Sequence, residues 1–255
     1  MQDRIVGKGR KVWLVGLVGA ALVLAAVGPL GAQSAGNDYL FGEPIGRLTL
    51  RAGYAHASAG SDIFDEMTKK FTLSKSDFSG PTFGGELAFR LAPRFDLTFD
   101  VAYAGVNRRS EYRDFVDNNN LPIRQTTSFT RVPLTANVRA YLTPRGRSVG
   151  SLAFIPSTVV PWVGVGGGAM WYRFRQSGDF IDGSGNVIPG QSESSGWGPA
   201  LQGMGGVDVS VTPRIAVTGD ARYTWARASL GSDFSGFNKI DLSGVSVALG
   251  LTFRL

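Results

Sequence analysis

From Asp241 to Leu255 the chain reads D-L-S-G-V-S-V-A-L-G-L-T-F-R-L, and its side chains sort by parity. Val245, Val247, Leu249, Leu251, Phe253 and Leu255 share one parity; Gly244, Ser246, Ala248, Gly250, Thr252 and Arg254 share the other. Side chains alternate across a strand, so this segment has one oily face and one small or polar face. A sequence that closes on such a strand, with Phe253 near its end, is expected to be the last stave of a transmembrane barrel.

The pattern recurs upstream. Strands are expected at about 46–57, 82–91, 95–105, 129–142, 162–174, 198–211 and 215–227, making eight with the closing one. The segment from Phe95 gives the cleanest alternation: Phe95, Leu97, Phe99, Val101 and Tyr103 against Asp96, Thr98, Asp100, Ala102 and Ala104. Pro133 is placed near the outer end of its strand, where a missing backbone donor costs least.

Ala92-Pro93-Arg94, Thr143-Pro144-Arg145 and Thr212-Pro213-Arg214 mark every second connection, with Pro93, Pro144 and Pro213 presetting φ for a tight turn. The alternate connections are long and polar: Ser58 to Gly80, a mixed-charge stretch; Asn107 to Thr127; and Gln176 to Ser195. Asp117-Asn118-Asn119-Asn120 and Gly183-Ser184-Gly185-Asn186 mark the tips of the last two. Short turns at one end and long loops at the other are the asymmetry of outer-membrane barrels, turns in the periplasm. Ten strands result if one polar excursion joins the wall. The connection from 143 to 161 is too long for a simple turn, and the sequence alone does not account for it.

Charge separates the two faces. Of the roughly forty positions assigned to the lipid side, none is charged, as lipid exposure requires. Tyr54, Tyr103, Trp171, Tyr223 and Trp225 lie toward the loop ends of that parity and Phe89, Phe95 and Phe253 toward the turns, where rings meet the headgroups. The opposite parity holds Arg51, Arg90, Arg139 and Arg222 against Glu86, Asp96, Asp100, Asp208 and Asp220. Across the turn at Pro93, Arg90 is expected opposite Asp96 and Glu86 opposite Asp100. Two facing carboxylates need a cation or a shared proton; Arg51 or Arg139 is expected to bridge them, forming a polar plug.

With no Cys and a single His, a disulfide framework is excluded and a His/Cys metal site is not expected; no cofactor is implied. The segment 1–32 reads as a signal peptide: Arg4, Lys8, Arg10 and Lys11, an apolar run from Val12 to Val27, then small residues around Ala32. A permanent helical anchor is the competing reading. Much of the net charge of +6 belongs to this leader, so it gives no reason to expect a nucleic-acid partner. Residues 33–45 then form a periplasmic lead-in and 46–255 the barrel. Beyond the leader no apolar run is long enough for a spanning helix, so a membrane form must be a closed barrel.

In strand pattern, turns and closing strand, residues 46–255 resemble the small eight-stranded outer-membrane barrels, the group of the OmpA transmembrane domain and OmpW-like proteins. Leu255 stands where the group usually has Phe. The resemblance implies a porin-like, non-enzymatic protein of the bacterial outer membrane with a structural, surface-interaction or narrow-channel role. Its implied partners are outer-membrane lipids and lipopolysaccharide, a possible small apolar solute, and the barrel-assembly machinery, which would take hold of Leu249, Leu251, Phe253 and Leu255. Two alternatives stand beside it. His56 and Ser58 loosely resemble the short motif of outer-membrane lipid A deacylases, without its usual flanking residues. A soluble lipid-binding barrel would alternate too, but with its oily face inward. The glycines of Gly164-Val165-Gly166-Gly167-Gly168 are no phosphate loop, because a strand continues through Met170-Trp171-Tyr172 rather than a helix.

Overall fold

The computed structural model describes residues 39–116, 120–150, 152–181 and 187–255. The leader 1–32, the start of the lead-in, the Asn118 and Asn119 tip and the Gly183–Gly185 tip lie outside the described residues. Eight staves form the wall: β1 Gly46–Ala57, β2 Gly80–Ala92, β3 Phe95–Val116, β4 Pro122–Tyr141, β5 Val159–Ile181, β6 Val187–Ser210, β7 Ile215–Ala228 and β8 Gly244–Arg254. Each pairs antiparallel with its sequence neighbour, and β8 pairs back onto β1 (Val247 opposite Tyr54), so the sheet is a closed ring of eight. Closure leaves no edge in the spanning zone, the condition for crossing lipid with strands.

The faces are sorted as the hydrocarbon demands. Leu249 is 69% exposed and Phe99 48%, whereas inward-pointing Glu86 and Asp96 are each 1% exposed. Apolar exposure on this scale, all the way round a closed ring, is what a surrounding of lipid would cover. Replacing Leu249 with Arg is therefore expected to destabilise the folded barrel by about 2–4 kcal/mol, read from urea titrations in lipid vesicles. An unchanged midpoint would place Leu249 in water.

Four staves run far past the membrane. Strands β3 to β6 have 22, 20, 23 and 24 residues, against the roughly 9–11 that span a bilayer. The described parts of the polar stretches 107–127 and 176–195 are thus the outer halves of two hairpins rather than loops, and they lengthen the wall without adding strands. Asn120 sits at the β3–β4 tip with φ +59, a left-handed conformation that Asn tolerates.

Pro133 is not near the end of its stave. It lies mid-β4, where the ladder to β5 is continuous (Pro133 opposite Met170) while the ladder to β3 skips Ala102 and Tyr103. The missing N–H points toward β3, and Thr82 Oγ1 donates to the Tyr103 carbonyl there at 3.0 Å.

At the turn end, the β4–β5 connection folds on itself. Gly146–Val149 and Ala153–Pro156 form a hairpin, and Leu40–Phe41 of the lead-in adds to it as a third strand. This accounts for the length of the 143–161 connection. Pro93 and Pro213 sit in the other two turns, while Pro144 opens the longer excursion.

Candidate functional site: a lumen filled from both ends

The bore is filled in tiers. Lowest, toward the turns, Arg47 on β1 donates to Asp96 on β3 at 2.8 Å and to Asp208 on β6 at 2.9 Å, tying together staves that are not neighbours. Asp96 also accepts from Tyr141 (2.7 Å) and Arg145 (2.9 Å), and Asp208 from Trp162 Nε1 (3.0 Å) and Thr218 (2.8 Å). The Trp162 indole fits because residue 206 is glycine; a Cβ there would lie 2.6 Å from the ring. Arg145 and Arg90 both hold Glu43 of the lead-in, at 3.1 and 2.7 Å, which fastens the small sheet beneath the barrel.

Above this floor lies the densest cluster. Glu86 and Asp100 are cross-strand partners, as are Arg90 and Asp96. The cation between the two carboxylates is Arg222, from β7 across the bore, rather than Arg51 or Arg139. Its guanidinium donates to Glu86 at 2.9 Å, Asp100 at 3.0 Å and Asp220 at 2.7 Å. Arg51 pairs with Asp100 alone and Arg139 with Glu86 alone. Arg139 also stacks over Trp162, 3.8 Å from the ring centroid. Of the nine lumen charges expected from the sequence, eight are joined in these two tiers. Arg90 stands apart, half-buried at the turn end with Glu43. Sequence reasoning left out Arg47, Tyr141, Arg145 and Trp162. Arg47 shares the inward parity of Thr49 and Arg51, and that parity was the available signal.

Over the charge cluster sits a cavity of about 50 Å³ bordered by Arg51, Asp100, Arg131, Gln202 and Thr224. That is room for a few water molecules, far below the roughly 300 Å³ of a small-molecule site.

The outer mouth is closed by an apolar cap. The β1–β2 segment, read from sequence as mixed charge, folds into helix α1 (Asp62–Lys70) followed by a 3₁₀ turn at Lys75–Phe78. Its Ile63, Phe64 and Met67 fall on one helical face and turn inward, leaving Lys69 and Lys70 outside. Phe64 packs edge-on against Phe78, Phe129 and Phe174 at centroid distances of 4.7, 5.4 and 6.0 Å. Phe234 and Leu242 of the β7–β8 connection complete the cluster. Arg131 beneath donates to the carbonyls of Leu242 and Ser243 at 3.1 and 3.2 Å, and Tyr172 donates to that of Ser229 at 2.6 Å, so the wall grips the cap by its backbone.

The two capping segments are pinned together at the rim. Asp62 accepts from the Asn238 backbone N–H at 2.9 Å and from its side-chain amide at 2.8 Å, and these bonds hold its carboxyl below the usual aspartate range. A carboxyl depressed by folding contributes stability that is present above the unfolded pKa and lost as pH falls through the lower folded value. Amide exchange in residues 60–79 should therefore stay slow through the ordinary aspartate range and quicken only below it. In an Asp62→Asn variant that acid step should be missing.

His56 lies on the outward face at the rim. Its Nδ1 meets Ser79 Oγ at 3.0 Å, not Ser58, and Ser79 also accepts the Ala57 N–H at 3.0 Å. Ser79 is 1% exposed, so this hydroxyl is a structural tie between β1 and the cap and out of a lipid's reach. Ser58, which is exposed, spends its backbone N–H on the Ser243 carbonyl. Among the described residues no cluster of His, Asp or Glu is arranged to hold a metal ion.

Around the outside, Tyr54, Tyr103, Tyr223 and Trp225 are exposed at the outer level and Phe89 and Phe95 at the turn level, while Trp171 and Phe253 are half-buried. Leu249, Leu251 and Leu255 are exposed along the same face of β8.

An oily ring of eight antiparallel strands around a charged, filled interior is a closed eight-stranded β-barrel with its apolar face outward. The chain is similar to the outer membrane protein OprG from Pseudomonas aeruginosa, at 15% identity and a TM-score of 0.46 over 85% of this chain and 99% of that one. It is also similar to Neisserial surface protein A (15%, TM-score 0.42, 82% and 97%) and to outer membrane protein W of E. coli (15%, 0.38, 84% and 100%). No protein-family model and no curated protein matches the sequence.

Proposed function

We propose that the protein is a closed, non-enzymatic barrel of the bacterial outer membrane whose work is structural or done at its outer surface, not conduction through its bore. The observation that carries this is the double seal: an ion-paired floor in which Arg47 and Arg222 cross the lumen, and an apolar cap anchored on Phe64. A path for water-soluble solute would have to break both. Lipopolysaccharide is its outer-leaflet partner, and Leu249, Leu251, Phe253 and Leu255 form the strand offered to the barrel-assembly machinery. The buried position of Ser79 speaks against the lipid-modifying reading, and the outward leucines speak against a soluble carrier.

The test is electrical. The mature chain, refolded in detergent and inserted into planar bilayers, is expected to show no steady conductance above the protein-free bilayer, while its gel mobility shifts on heating. Well-resolved open channels in the wild-type protein would overturn the sealed reading and favour the narrow-channel one.

A further inference from the structure

The cations at the outer rim divide into two groups. Those on the cap are engaged there: Lys70 with Glu66 at 2.8 Å, Lys75 with Asp65 at 2.7 Å, Arg108 with the Asp77 carbonyl at 3.1 Å, and Arg113 with the Thr68 carbonyl at 3.3 Å. Arg109, Arg173 and Arg175 lie instead on the lipid-side parity of β3 and β5, because their neighbours Ser110 and Phe174 point into the barrel.

Their height relative to the membrane follows from the strand itself. Trp171 and Trp197 are direct cross-strand partners on the outward face and mark the aromatic girdle. Arg173 and Arg175 follow Trp171 on the same face by two and four residues, about 7 and 13 Å further along the stave. That is the step from ring to headgroup phosphate. Between β3 and β5, β4 presents hydroxyls on the same face: Thr130 is opposite Arg173, Ser128 opposite Arg175 and Thr126 opposite Arg109. Glu193 on β6 engages Arg173 at 2.8 Å and lies 4.0 Å from Arg175, so one of the three positive charges is offset. Arg175 also donates to Gln191 Oε1, the Nε groups of Arg173 and Arg175 are buried without a hydrogen-bond partner, and no ion pair or side-chain hydrogen bond among the described residues engages Arg109.

The geometry points to a phosphate-binding shelf for the outer-leaflet glycolipid, formed by Arg109, Arg173 and Arg175 with the β4 hydroxyls between them. The planar guanidinium forks take the phosphates of lipopolysaccharide, and Thr126, Ser128 and Thr130 take its sugar hydroxyls. This rests on the outer-membrane placement proposed above, which cell fractionation reports separately.

The experiment uses the full mature chain refolded in a neutral detergent, with fluorescently labelled lipopolysaccharide as probe and the same lipid stripped of its phosphates as control. Heat-dependent gel mobility verifies that each variant is folded. The triple variant R109Q/R173Q/R175Q is expected to bind the phosphorylated lipid about tenfold or more weakly than wild type, with no difference between them for the stripped lipid. The cap variant K69Q/K70Q/K75Q is expected to bind like wild type, and millimolar inorganic phosphate to leave the complex intact. Equal binding by wild type and the arginine variant, equal weakening by the lysine variant, or displacement by free phosphate would each overturn the proposal. Conductance is not read in this assay, so a wild type found to conduct would sink the sealed-barrel reading without touching the shelf.

Discussion

Replacing Arg222 with methionine is expected to lower the barrel's unfolding free energy by about 3–5 kcal/mol, the usual cost of removing one member of a buried ionic cluster. The loss is large because Arg222 answers three carboxylates at once. Glu86 would keep Arg139 and Asp100 would keep Arg51, but among the described residues no ion pair or hydrogen bond from another side chain reaches Asp220. A carboxylate left unpaired in a buried site must take up a proton or draw in water. The cost should therefore fall in the double variant Arg222→Met with Asp220→Asn, where that charge is removed as well. A departure from additivity of about 1–3 kcal/mol is expected for such partners. Urea titrations of the four proteins in vesicles supply the cycle. Strict additivity would mean that Arg222 and Asp220 act independently and that the cluster is a set of separate pairs.

How much of this was legible beforehand depends on which solvent disciplined each residue. Hydrocarbon tolerates no charge, so Leu97, Phe99 and Val101 alternate with Asp96, Thr98 and Asp100 without interruption, and parity alone places Glu86 opposite Asp100. Past the girdle both faces of the staves meet polar surroundings or a packed cap. Ser110, Gln125, Thr127 and Gln176 point inward there although they look like loop residues, so the period-2 signal fades where the strands continue. The choice of Arg222 as bridge depends on barrel closure, which brings β7 across the bore to β2 and β3; no local spacing encodes that. Helix α1 is only nine residues long and sits among charges. The inward set of Ile63, Phe64 and Met67, with Phe71 beyond, was its one visible mark, and a single short turn of amphipathic pattern is weak without the wall it packs on.

Phe64→Ala tests whether the cap and the floor are independent barriers. Phe64 has no solvent exposure and is the ring that contacts Phe78, Phe129 and Phe174 together, so its truncation is expected to cost the cap about 3–5 kcal/mol. A nine-residue helix has no stability of its own to meet that loss, since isolated helices of this length do not persist in water. The cap should then open while the staves, held by their ladders and by lipid, remain folded. Trypsin should cut at Lys69, Lys70 and Lys75 at least tenfold faster than in wild type, and the heat-dependent gel shift should persist, because cleavage of a transiently open segment follows its local stability and not that of the whole. Conductance should stay at the protein-free level, because Arg47, Arg139 and Arg222 still cross the bore below. Current should appear when Phe64→Ala is combined with Arg222→Met, provided the variant still folds by gel mobility. Current from Phe64→Ala alone would make the cap the only seal and reduce the ion-paired floor to a lining that water passes.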